Sequence, residues 1–257
     1  MHSGQTLSEI SVLNRYLLLA ITIGVLLAAT PARADLKAIR QDKLPQDPAV
    51  QKALADVSDI EPMVDHWSAQ WRYETPKKKV AARLKSSLAT IEKSLRASPD
   101  NEELLLLAGL VAHYSYNLNA QGSYELAADS FTKAEKLAPE DFRPMWFLAQ
   151  QQCQSYTQAL DGMKKFLDLE NSKDAPELPA AFWGDYLQCA TVTNMPAHGL
   201  RAGARANQLD AQPSPLRTGL LQSLRERFHR PDPATTYTAK QAWFAENSGA
   251  TTVFTSF

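Results

Sequence analysis

Few residues of this chain combine the types and spacing that chemistry requires. The histidines are His2, His66, His113, His198 and His229, and none has a second histidine, a cysteine or a carboxylate at metal-ligand spacing. No nucleophile elbow, P-loop, dinucleotide glycine fingerprint or HExxH stretch occurs. A catalytic cysteine needs an activating base and local positive charge, and the sequence around Cys153 and Cys189 offers neither. A chain with this inventory is expected to be non-catalytic, with no metal and no cofactor. His113, beside Tyr114 and Tyr116, is the least ordinary of the histidines, although a structural role is the expected one. The two cysteines suit either a disulfide in an oxidising compartment or a pair of buried thiols.

The elements that position these residues begin after a leader. Arg15 precedes the apolar run Tyr16 to Ala29, and Ala32-Arg33-Ala34 forms an A-x-A cleavage signature ahead of Asp35. The run is shorter than the roughly 20 apolar residues of a spanning helix. Residues 1–34 are therefore read as a secretory signal, which places the mature chain in a periplasm or outside the cell; the long n-region, in which Glu9 offsets Arg15, leaves an uncleaved anchor as the alternative. No second apolar run of spanning length follows, so no membrane span is expected once the signal is removed. A composition 44% hydrophobic and 21% charged can bury a core, and a net charge of -1 argues against a grip on nucleic acid. Scarce glycine, with abundant Ala and Leu, favours helix, and the expected fold class is all-α.

Residues 35–59 are polar and broken by Pro45 and Pro48, and read as a linker with one weak helix from Pro48. In Ile60 to Tyr73, Met63, Trp67 and Trp71 stand at i, i+4 and i+8, a core stripe on one helical face. Lys77 to Ser98 carries Val80, Leu84, Leu88, Ile91 and Leu95 on one face, with a solvated lysine run at its start. Asp100 or Asn101 can cap the next helix, about Glu102 to Leu118, whose stripe is Leu105, Ala108, Gly109 and Ala112. The helix after it, about Tyr124 to Ala138, has Ala127, Phe131, Ala134 and Leu137.

This pair resembles a tetratricopeptide repeat (TPR). Gly109 stands at that motif's first-helix glycine, and Ala127, Phe131, Ala134 and Pro139 match its second-helix pattern. Leu105 and Ala112 replace the motif's Trp and Tyr, and the first helix runs on by about six residues beyond the usual unit. Pro139, Pro176 and Pro213 recur at a step of 37 residues, as do Trp146 and Trp183. Trp146, Ala149, Gly162 and Phe166 keep the motif's spacing in the next unit; Trp183, Gly199, Gly203 and Ala206 keep it loosely in the one after. The expectation is a TPR-like α-solenoid of about four helix pairs over residues 60–213. A capping helix at 214–230 would follow, with Leu216, Leu220, Leu224 and Phe228 in register. An irregular tail at 231–257 would end in a strand-prone segment.

Cys153 and Cys189 then fall at nearly equivalent places on successive first helices, so a staple between units is geometrically admissible. The resemblance further implies that Leu106, Leu110, His113, Phe147, Gln151, Gln154, Gln188 and Thr191 face inward and line a concave surface. That set is apolar with amides and lacks the basic ring by which some TPR domains clamp a terminal carboxylate. It suits an extended protein or peptide partner, unless the tail or the linker packs there instead. The expected function is an exported, non-catalytic scaffold for protein–protein interaction. The alternative is a small-ligand-binding component of the periplasmic TPR-type transporters, which the region from Ser94 to Leu148 resembles through the residues ASPDNEELLLLAG. An enzyme with dispersed groups is the third option, and it requires titratable residues clustered in one cleft.

Overall fold

The computed structural model describes residues 35–65, 74–155, 157–172, 178–210 and 215–229. The leader at 1–34, the tail at 231–257, Trp67, Trp71, Pro176 and Pro213 lie outside them. Among the described residues the fold is all-helical. It comprises α1 (Pro48–Val64), α2 (Glu74–Ala97), α3 (Glu102–Asn117), α4 (Ser123–Leu137), α5 (Phe142–Gln154), α6 (Ala159–Asn171), α7 (Ala180–Val192), α8 (Pro196–Leu209) and α9 (Pro215–His229). Two 3-10 turns, Asp35–Ala38 and Gln41–Lys43, precede α1.

Residues 35–59 are part of the folded body, contrary to the linker reading. Leu36, Ile39 and Leu44 are buried, as are Val50, Ala53, Leu54, Val57, Ile60 and Val64 along α1. Asp47 caps α1 by accepting from the Ala49 N–H at 2.8 Å, and Pro48 occupies its first turn. The helix thus starts twelve residues before Ile60, where the first main element was expected. The segment's high average polarity conceals a regular apolar stripe. That stripe also corrects the reading of Met63, which is 39% exposed because Ile60 and Val64 occupy the inward face.

α2 follows its expected pattern, with Val80, Leu84 and Ile91 buried and Leu88 and Leu95 packed against the core. Asn101 caps α3 through the Leu104 N–H at 2.9 Å. Every residue of α3 from Glu103 to Ser115 is buried, so it is a central helix rather than an amphipathic surface one. α4 packs on it through Ala127, Phe131 and Ala134, whereas Leu137, in the last turn, is 44% exposed instead of completing that stripe. A Cβ on Gly109 would lie 2.3 Å from Phe131 Cε1, which explains why glycine stands there.

Consecutive helices pack as α1 with α2, α3 with α4, α5 with α6 and α7 with α8, and α9 lies on α7 and α8. The first helices of neighbouring pairs also touch: α1 with α3, α3 with α5, and α5 with α7. On α9 the buried residues are Leu221 and Leu224, while Leu216 is 45% exposed. The predicted register shifts because Gly203 and Gly199 open room for Leu221 and Leu224, whose methyls would meet a Cβ there at 2.4 and 2.2 Å.

Candidate functional site

The eight positions proposed for the concave face lie on α3, α5 and α7, but they do not form one open surface. Leu106, Leu110, His113, Phe147 and Gln151 are completely buried, and only Gln154, Gln188 and Thr191 are half-buried. The first five are core residues here, because α3 is enclosed by α1, α2, α4, α5 and the Asp35–Ala38 turn, and Phe147 and Gln151 of α5 pack against α4. His113 Nε2 and Gln154 Nε2 lie 3.2 Å apart, so the ring accepts from the amide when its proton is on Nδ1. Gln151 donates from Nε2 to the Tyr124 carbonyl at 2.6 Å. Its Oε1 is buried without a hydrogen-bond partner among the described residues.

Cys153 on α5 and Cys189 on α7 form a disulfide, with their Cα atoms 5.2 Å apart. A second tie joins the same helices, since the Trp146 Nε1–H donates to Asp185 Oδ2 at 2.9 Å. On α6, Gly162 lets the backbone approach the bridge: a Cβ there would stand 2.6 Å from both Cys153 Sγ and the Ala149 carbonyl. Trp146 and Trp183, one step of the sequence period apart, are both buried.

Sequence reasoning missed a buried charge cluster where α3, α5 and the N-terminal turns meet. Arg143 donates through Nη2 to Glu103 Oε1 and Asp141 Oδ2, both at 2.6 Å, and through Nη1 to Glu103 Oε2 at 3.0 Å and the Ala38 carbonyl at 2.7 Å. Its Nε lies 3.0 Å from each Asp141 oxygen. From the N-terminal segment, the Arg40 N–H donates to Glu103 and its guanidinium to Asp141, each at 2.9 Å. Burial works against the charge of Arg143, but Asp141 and Glu103 outweigh it and hold the guanidinium protonated. Burial likewise pushes the Asp141 carboxyl up, and the Arg143 hydrogen bonds overcome it and hold it down. Neighbouring Glu102 is pushed up to about 7, by burial and by the charge of Asp141. The available sequence signal was a Glu pair opening a strongly apolar helix, a charge that needs a distant partner once that helix is buried.

A second network joins α6, α7 and α8. Arg201 pairs with Glu170, Nε to Oε1 at 2.7 Å, and Tyr186 donates from its hydroxyl to Glu170 Oε2 at 3.0 Å. His198 Nδ1 lies 3.2 Å from that hydroxyl, and burial together with Arg201 lowers its pKa to about 4. A histidine so depressed is neutral at physiological pH and is a poor general base there.

Both networks spend their polar groups on one another. All three Arg143 nitrogens are engaged, and both cysteines are bonded rather than thiols. No group of three metal-ligating side chains occurs among the described residues. The chain matches no protein-family model, and comparison with curated proteins and with solved structures finds no similar one.

Proposed function

We propose that the protein is an exported, non-catalytic TPR-like α-solenoid that presents a surface to a protein or peptide partner, with α9 as its end cap. The observation that carries this reading is the repetition of one packing unit. Four successive helix pairs bring their first helices into contact, and two of those helices hold Cys153 and Cys189 at nearly equivalent places, with a Cα separation of 5.2 Å. A polypeptide partitioned into stacked pairs gains an extended surface that a closed bundle lacks. A disulfide between units suits the oxidising compartment that the leader implies. The accessible part of the proposed surface is the polar row Gln154, Gln188 and Thr191, half-buried on α5 and α7.

The test is capture by crosslinking from native envelope extract, with the wild-type chain beside the triple variant Gln154→Lys, Gln188→Lys, Thr191→Lys. A partner retained by wild type and lost by a variant of unchanged melting temperature supports the scaffold. Equal capture by both, or none by either, sinks it.

A second reading, a carrier of a small ligand, is favoured by Gln151 Oε1, which is buried without a hydrogen-bond partner among the described residues. Such a ligand would offer a single donor to that oxygen. Native mass spectrometry of the purified chain checks it: a bound species released on unfolding, and absent from Gln151→Leu, would favour the carrier.

A further inference from the structure

The A-x-A signature ends at Ala34, and Asp35, the next residue, is already completely buried. Asp35–Ala38 is a built-in part of the body. Leu36 and Ile39 are buried, the Leu36 N–H donates to Glu61 Oε1 at 2.9 Å, and Asp35 Oδ2 accepts from Gln150 at 2.8 Å. Downstream, the Ala38 carbonyl and the Arg40 N–H are fastened to Arg143 and Glu103.

The groups around this start are mostly acidic. Glu61 and Asp65 of α1 are 6% and 5% exposed, and Tyr114 of α3 donates to Glu61 at 2.8 Å. Gln150 of α5 is neutral, and Lys37 is the cation of the same turn that acts on Glu61. The Asp35 nitrogen is separated from the Leu36 nitrogen by three bonds, so covalent geometry keeps it within about 4 Å of it. It therefore lies close to the Glu61 carboxylate that holds Leu36.

We propose that the chain is hydrolysed between Ala34 and Asp35 before it folds, and that the α-ammonium so formed docks against Glu61. This rests on reading residues 1–34 as an export leader. A membrane signal peptidase adds water across the Ala34–Asp35 peptide bond, leaving a carboxylate on Ala34 and an ammonium on Asp35. The order follows from burial: a bond flanked by a completely buried residue is closed to a peptidase once Asp35–Leu44 has packed. The new cation enters where carboxylates are already desolvated, so its charge is favoured there over the neutral amine.

The experiment expresses the full chain with its own leader in a Gram-negative host and measures the intact mass of the envelope protein. The purified product is then treated with an amine-acylating reagent near neutral pH, folded and in urea, and acylation of Asp35 is read by peptide mass. A mass beginning at Asp35, with acylation on the order of tenfold slower in the folded protein, is the expected result. The variant Glu61→Gln, checked for retained helicity, should recover most of that rate. A leader retained on unexported protein overturns the export reading and the proposal together. Export with a terminus other than Asp35 overturns the cleavage assignment. A terminus at Asp35 that reacts equally fast folded and unfolded overturns the docking and leaves export standing.

Discussion

Arg143 and Glu103, forty positions apart, meet in the interior through two parallel hydrogen bonds of 3.0 and 2.6 Å. The pair fastens α5 to α3, and Arg143 extends the same grip to the Ala38 carbonyl of the N-terminal turn. Removing Arg143 strands Glu103 and Asp141 as buried carboxylates without their main counter-ion. Arg143→Ala is therefore expected to lower unfolding free energy by about 3–5 kcal/mol in urea titration. A loss below about 1 kcal/mol would show that the cluster is peripheral to stability.

The disulfide closes a loop of 36 residues. Loop entropy alone assigns it about 4 kcal/mol, acting chiefly on the unfolded chain. Cys153→Ser with Cys189→Ser should thus shift the urea midpoint downward while leaving the helical circular dichroism of the native state intact. Collapse of the native spectrum would mean that the bridge holds the fold itself.

Two groups make stability depend on pH with opposite signs. Glu102 rises from its ordinary 4.5 to about 7, so the folded state holds its proton longer, and stability falls as pH rises from 4.5 through 7. His198 drops from 6.5 to about 4, so the unfolded state takes the proton first, and stability falls as pH falls from 6.5 through 4. The His198 effect is on the order of 3 kcal/mol. Glu102→Gln should leave a profile that rises from pH 4 to 6.5, and His198→Asn one that falls from 4.5 to 7. Identical profiles in the two variants would contradict both assignments.

Gly109 and Gly184 are both helical, and they separate crowding from propensity. Gly109→Ala would drive a Cβ into the Phe131 ring and is expected to cost about 1–3 kcal/mol. A Cβ at Gly184 meets nothing within 4 Å, so Gly184→Ala should stabilise by about 0.5–1 kcal/mol. Thermal melts of the two variants, moving in opposite directions, are the check.

The sequence by itself determined the helical class, the boundaries of α2, α3, α4 and α9 to within a few residues, and several residues of the packing code. Local signals carry these: Asn101 before an apolar run, Ala127, Phe131 and Ala134 on one face, and the spacing that made a Cys153–Cys189 bridge admissible. Tertiary structure alone decided which apolar and amide residues see solvent. Leu106, Leu110, His113, Phe147 and Gln151 suited an inner surface as well as a core, and only tertiary packing buried them: α1, α2, α4, α5 and the Asp35–Ala38 turn close around α3, while Phe147 and Gln151 of α5 lie against α4. The charge cluster was equally illegible. Glu103 and Asp141 each had a local role at a helix start, and that both would close on one arginine depends on how α3 and α5 approach. Helix formation is settled within a few turns of chain, whereas burial and ion pairing depend on neighbours brought from far along it.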